Sequence, residues 1–158
     1  MSMNEAADRS HAVVRPPIAW ALAILIGLGL NWLHPLPFVL ASVPRVSIGA
    51  VLFIAAFAFA VWAIATIRGA GSRVETTMPT TVIVSSGPYR FTRNPIYLAM
   101  LVGLIALAIG FDTAWILIAL VPFYLIIRYG VIDREEAYLE RKFGSVYMGY
   151  KSSVRRWL

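Results

Sequence analysis

Uncharged apolar runs alternate with short polar connections along most of this chain. The runs extend from Pro17 to about Leu33, from Val46 to Ile67, from Ile96 to Phe111 and from Ala114 to about Ile127. At ~1.5 Å per helical residue, the second is long enough to cross the ~30 Å of hydrocarbon in a bilayer. The third and fourth are shorter and are separated only by Asp112-Thr113, which predicts a helical hairpin that barely spans the membrane or dips into it. The connection from Asn31 to Arg45 is turn-rich, with Pro35, Pro37 and Pro44. In the segment from Arg68 to Pro95, the β-branched stretch Thr80-Thr81-Val82-Ile83-Val84 predicts extended chain before a Gly87-Pro88 turn. The tail from Arg128 onward is charged and aromatic, and it predicts short helices lying near the interface.

This pattern predicts an all-α integral membrane protein with four transmembrane helices, the last two a short helical hairpin, and a C-terminal helical cap. A single membrane domain then covers residues 1–158: a polar arm at 1–16, two scaffold spans within 17–67, and a functional core over 68–158.

Composition supports lipid as the solvent of the apolar runs. Of the 158 residues, 59% are hydrophobic and 14% charged, and the mean hydropathy is +0.74. A soluble domain carries roughly 45–50% apolar and about 25% charged residues. The net charge of +6 would suggest nucleic-acid binding in a soluble protein. Here the basic residues flank apolar blocks, where headgroups and insertion topology account for them. With no cysteine, disulfides and thiolate chemistry are excluded, and His11 and His34 stand apart, so no metal site is expected.

The basic residues also orient the chain. If all four blocks span, every one of the fourteen Lys and Arg residues except Arg45 falls on one side. The positive-inside rule then places both termini and the middle segment in the cytoplasm, as expected for a multi-pass inner-membrane protein. Val39-Leu40-Ala41 offers a small-x-small motif, but the preceding apolar run is longer than the ~7–15 residues of a signal-peptide core. The small residues Ala19, Ala23 and Gly27, and Ala99 with Gly103, predict close helix packing within the bundle rather than dimerisation. Oligomeric state is left open.

Two polar constellations exceed what helix packing needs. The first, from Gly87 to Tyr97, places Tyr89, Arg90, Arg93 and Asn94 just before a helix that Pro95 would open. A helix N-terminus with fixed positive charge beside it favours anions and acceptors, although Arg and Tyr also serve simply as interfacial anchors. The second, Asp133-Arg134-Glu135-Glu136, follows the fourth block. Paired acids sit poorly beside anionic lipid and could hold a cation or a proton; alone they read equally as a solvated helix face. The aromatic and basic tail ends in Tyr147, Tyr150, Lys151, Arg155, Arg156 and Trp157.

In this order, Gly87-Pro88-Tyr89, Arg93-Asn94-Pro95-Ile96-Tyr97, Glu135-Glu136, Phe143-Gly144-x-x-Tyr147-x-x-Tyr150 and Arg156 resemble the isoprenylcysteine carboxyl methyltransferase family and its bacterial relatives, phospholipid N-methyltransferases among them. The resemblance covers roughly Val82 to Leu158. Asn94 departs from it, standing where many members have histidine, and Ala99 stands where glycine is common.

The resemblance implies S-adenosyl-L-methionine as methyl donor, in a pocket capped by the tail, and a methyltransferase core over 68–158. It implies that Asn94, Pro95 and Tyr97 line that pocket with Tyr89 near them. Glu135 and Glu136 would face the cofactor's ammonium or ribose, and Arg90 or Arg93 its carboxylate. Arg156 would lie at the methyl-transfer site, with Tyr150 shaping the acceptor site. A carboxylate acceptor, already ionised, would need only an arginine to aim it. An amine would need a base, with Glu135 or Glu136 the candidate. The implied partners are the bilayer and a lipophilic or small-molecule acceptor, favouring a carboxylate. Alternative readings are a phospholipid N-methyltransferase, a nicotinamide-dependent membrane reductase of related architecture, and a non-enzymatic four-helix protein. The last is disfavoured because no ionisable group lies within the first three blocks.

Overall fold

The structure, a computed structural model, describes residues 13–39, 42–71 and 80–158. Arg9, His11, Arg73 and the Leu40-Ala41 end of the small-x-small motif lie outside the described residues. Four apolar helices occupy the four predicted blocks: α1 (Pro16–Leu33), α2 (Arg45–Gly69), α3 (Pro95–Phe111) and α4 (Ala114–Ile127). Two further helices follow, α5 (Asp133–Phe143) and α6 (Ser145–Ser153). Prolines open α1 and α3 at their first turns, where a missing N–H removes no helical bond. Among the described residues there is no strand; Thr80 to Val84 has no regular secondary structure.

The tail departs from expectation. A wide π turn, Arg128–Ile132, joins α4 to α5 without a break, giving one helix of 30 residues, Ala114–Phe143. That is ~45 Å, far more than hydrocarbon thickness. The second arm of the hairpin is therefore not short. Its apolar part fits the membrane, and the charged part continues the same helix where a separate interfacial helix was expected. Among the described residues three helices, α1, α2 and this long one, are long and apolar enough to cross a membrane, and α3 is a shorter apolar helix of 17 residues.

Small residues let the helices approach. A Cβ on Gly49 of α2 would lie 2.7 Å from Gly110 Cα and 2.8 Å from the Ala106 carbonyl of α3. One on Gly27 of α1 would lie 2.6 Å from Ile116 Cγ1 of α4, and Gly103 of α3 faces the Trp20 ring of α1. Backbones this close gain dispersion contacts that larger residues would prevent. The small residues thus pack the chain internally. α2 lies against α3, α3 against α4, and α4 against α1.

Hydrogen bonds define the two ends of the bundle. At one, Trp115 Nε1 donates to the His34 carbonyl at 2.7 Å and Ala114 N–H to that of Leu36 at 2.9 Å. There Asp112, which ends α3 in a left-handed conformation (φ 50°), accepts N–H bonds from Phe38 and Val39 at 2.9 and 2.8 Å. Arg45 lies 3.9 Å away. At the other end, Val13 N–H donates at 3.1 Å to the Gly130 carbonyl in the π turn, so α1 begins where α4 ends. Every described Lys and Arg except Arg45 belongs to this second end.

Asp112 gives a pH signature. The Val39 and Phe38 N–H bonds, with a smaller contribution from the Arg45 charge, hold its carboxyl below the ordinary value of 3.8. A group depressed by folding contributes stability above its unfolded pKa and loses it as pH falls through the folded one. Wild-type melting temperature should therefore drop on acidification below about pH 4, and Asp112→Asn should flatten that part of the profile. Thermal melts in nanodiscs across pH 3 to 7 measure the difference.

Candidate active site

The end of the bundle that gathers the basic residues also gathers the carboxylates, and local geometry explains how. Gly87 adopts φ 57°, and a Cβ there would lie 2.8 Å from Thr66 Oγ1 and 3.4 Å from Trp62 Nε1 at the end of α2. Glycine therefore lets the 3₁₀ turn Gly87–Arg90 sit down on α2. The turn buries Pro88 and Tyr89 and leaves Arg90 exposed, stacked 4.5 Å over the Phe91 ring. Thr92, Arg93 and Asn94 then lead into buried Pro95, the first residue of α3. Tyr97, in the first turn of the helix, is buried and points its hydroxyl at α5, donating to Glu135 Oε1 at 2.9 Å.

The π turn sets the register of α5. Asp133 N–H bonds back to the Arg128 carbonyl, five residues earlier, which advances the helix by one residue relative to a continuous α-helix. Asp133, Glu135 and Glu136 then enter the space bounded by the start of α3 and the tail. Arg156 grips Glu136 with two parallel bonds, Nε to Oε1 at 2.9 Å and Nη2 to Oε2 at 2.6 Å. Arg93 approaches Glu136 Oε1 at 3.5 Å, and Asp133 pairs with Arg128 and, at 3.4 Å, with Arg156. Glu136 is buried. Such a charge is tolerated inside only with partners that satisfy both of its oxygens, as this fork does.

The tail completes the enclosure. Val154 is extended after α6, and the carbonyls of Arg155 and Arg156 accept bonds from the 92–94 segment. Trp157 packs on Tyr124 of α4 with ring centroids 5.7 Å apart. Tyr150 donates to the Tyr89 carbonyl at 2.8 Å, and Tyr147 is buried beneath it. Burial pushes the Tyr147 phenol up to about 12, with the Glu136 charge adding to it, and burial also raises Tyr89 and Tyr150. The hydrogen bonds to Glu136 raise Arg156. These three tyrosines therefore stay neutral and Arg156 cationic at physiological pH.

Of the residues singled out from sequence, Arg93, Asn94, Pro95, Tyr97, Glu135, Glu136 and Arg156 come together here, with Tyr89 and Tyr150 forming one wall. Arg90 does not join them. The Asn94 side chain turns to the Arg156 carbonyl at 3.0 Å, binding the tail. Two partners carried no clear sequence signal: Thr92 and Arg128. Thr92 is a small polar residue whose burial becomes visible only once the tail is in place.

Two features define the free chemistry of the cluster. Glu135 is its one carboxylate without an ion pair among the described residues, held only by Tyr97. Arg93 keeps Nε and Nη1 buried with no hydrogen-bond acceptor among the described residues. An unpaired acid and unsatisfied guanidinium donors, enclosed together, suit a ligand bearing both positive charge and a carboxylate. Among the described residues no group of three or more His, Cys, Asp or Glu is arranged to hold a metal ion.

The apolar helices and this polar end are those of a multi-pass helical membrane protein. The chain belongs to the phospholipid methyltransferase family, whose model matches residues 44–146, from the start of α2 into α6. An uncharacterized protein of Haemophilus influenzae (strain ATCC 51907 / DSM 11121 / KW20 / Rd) is 47% identical over 64 residues, 39% of this chain and 98% of its own length. No solved structure matches.

The Glu136 clasp makes a stability prediction. Glu136→Ala leaves two guanidinium groups without their acceptor and should destabilise the fold by about 3–5 kcal/mol. The double variant Glu136→Ala/Arg156→Ala should lose less than the sum of the two single changes. Chemical denaturation in detergent micelles measures all three.

Proposed function

We propose that this protein transfers a methyl group from S-adenosyl-L-methionine to the amine headgroup of a membrane lipid. The observation that carries this reading is the division of labour between the adjacent acids. Glu136 is taken up by Arg156 and Arg93, whereas Glu135 faces no cation among the described residues and is held by the Tyr97 hydroxyl. The bound cofactor would supply a sulfonium methyl, open to in-line displacement by a nucleophile.

What the chain contributes is alignment, exclusion of water and one proton acceptor. Arg93 Nε and Nη1 are suited to the cofactor's carboxylate, and the first turn of α3 is suited to its polar groups. Glu135 Oε1 is suited to an ammonium headgroup: it attracts the cation and takes the proton the nitrogen must lose before it can attack. Tyr97 fixes that carboxylate's position. The tail and Trp157 close the site from the aqueous side, and the bilayer admits a lipid acceptor from the other. A carboxylate acceptor, expected from the sequence, would need Arg156 as its anchor, yet both of its inner donors lie on Glu136. An amine acceptor is therefore favoured.

The concentration of basic residues at this end supports its facing the cytoplasm, where the cofactor is made. α1 and α2 serve as scaffold or as a wall for the acceptor, within one membrane domain.

Calorimetry in nanodiscs should detect binding of S-adenosyl-L-methionine to the intact protein. Glu135→Gln should keep that binding while lowering turnover by about 100-fold or more, the usual contribution of a positioned base. Absence of cofactor binding would rule the reading out, and full turnover in Glu135→Gln would remove the acid from its assigned role.

A further inference from the structure

The polar segment ahead of α3 and the tail are tied by three hydrogen bonds that converge on two consecutive carbonyls. Arg93 N–H donates to the Arg155 carbonyl at 3.0 Å. Thr92 Oγ1 and Asn94 Nδ2 both donate to the Arg156 carbonyl, at 3.1 and 3.0 Å. Asn94 N–H in turn donates to Thr92 Oγ1 at 3.2 Å, which occupies the hydroxyl's acceptor side and turns its proton toward Arg156. Thr92 and Asn94 are both buried. Both lone pairs of one carbonyl are thus held by side chains more than sixty residues earlier. On the far side, Trp157 is fixed against Tyr124. With its backbone gripped on both sides, Arg156 has its guanidinium aimed at Glu136.

We infer that Asn94 and Thr92 are positioning residues that hold the Arg156 backbone, so that its guanidinium stays on Glu136 and leaves Glu135 to the acceptor. In this assignment the Asn94 amide acts through the tail and does not touch the cofactor. A donor is required at both positions, because the group received is a carbonyl. Asn94→Asp keeps the shape and removes the donor. Thr92→Val keeps the shape and removes the hydroxyl, while Thr92→Ser keeps the hydroxyl. The kinetic consequence rests on the methyl-transfer reading; the docking of the tail does not.

The experiment uses the full chain in nanodiscs. Trypsin cleavage after Arg155 is compared with cleavage after Arg141, an exposed site in the same molecules, by mass spectrometry. Loss of one such hydrogen bond should speed tail cleavage about threefold to tenfold in Asn94→Asp and Thr92→Val, with Thr92→Ser close to wild type. Methyl-transfer assays on the same samples should show a raised acceptor KM with cofactor affinity unchanged. Adding Arg156→Ala to Asn94→Asp should cause no further loss beyond Arg156→Ala alone. Unchanged tail protection in both donor-less variants overturns the inference, as does a primary loss of cofactor affinity in Asn94→Asp. If no methyl transfer is detected with any acceptor, the protease comparison still decides whether these residues hold the tail.

Discussion

Glu136 is a buried carboxylate on a helix that leaves the membrane, and its charge could not be kept there alone. Two guanidinium groups make it tenable, one from the start of α3 and one from the tail. Each brings a separate part of the chain with it. Arg93 brings the loop that seats on α2 through Gly87, and Arg156 brings the tail that rests on Tyr124 through Trp157. The enclosure therefore depends on one ion cluster spanning three segments distant in sequence. Because Glu136 absorbs the arginines, its neighbour Glu135 remains available for other chemistry.

The membrane helices deliver these segments to one place. Small residues bring α2 onto α3 and α1 onto α4, and the turn through Asp112 and Thr113 sends α4 back alongside α3. The π turn then advances the charged helix by a residue as it emerges. Val13 caps that turn through the Gly130 carbonyl, which ties the start of α1 to the same end. Asp112 provides the corresponding tie at the opposite end, joining the connection after α1 to the close of α3.

Much of this was legible from the pattern of residues. The bounds of the four apolar helices follow from where charges and prolines stop, and α3 begins and ends within a residue of the expected block. The site was legible as an ordered set of short motifs, because a turn, a paired acid and a late arginine keep their order in the chain. The continuity of α4 with α5 was not. The charges from Arg128 onward signal an exit from lipid, which a bend and a straight continuation satisfy equally. Nor could sequence tell Glu135 from Glu136, since adjacent acids on one helix differ only in what surrounds them. Nor could sequence show that the Asn94 amide meets the Arg156 carbonyl of the tail.

The central claim is that the unpaired acid beside Tyr97 makes this a methyltransferase of lipid amines. Membranes holding the protein can be incubated with S-adenosyl-L-methionine carrying a deuterated methyl group, and the extracted lipids read by mass spectrometry. The account predicts label on the headgroup nitrogen of an aminophospholipid, absent from membranes lacking the protein. Label on a carboxylate as a methyl ester, with none on nitrogen, would contradict it.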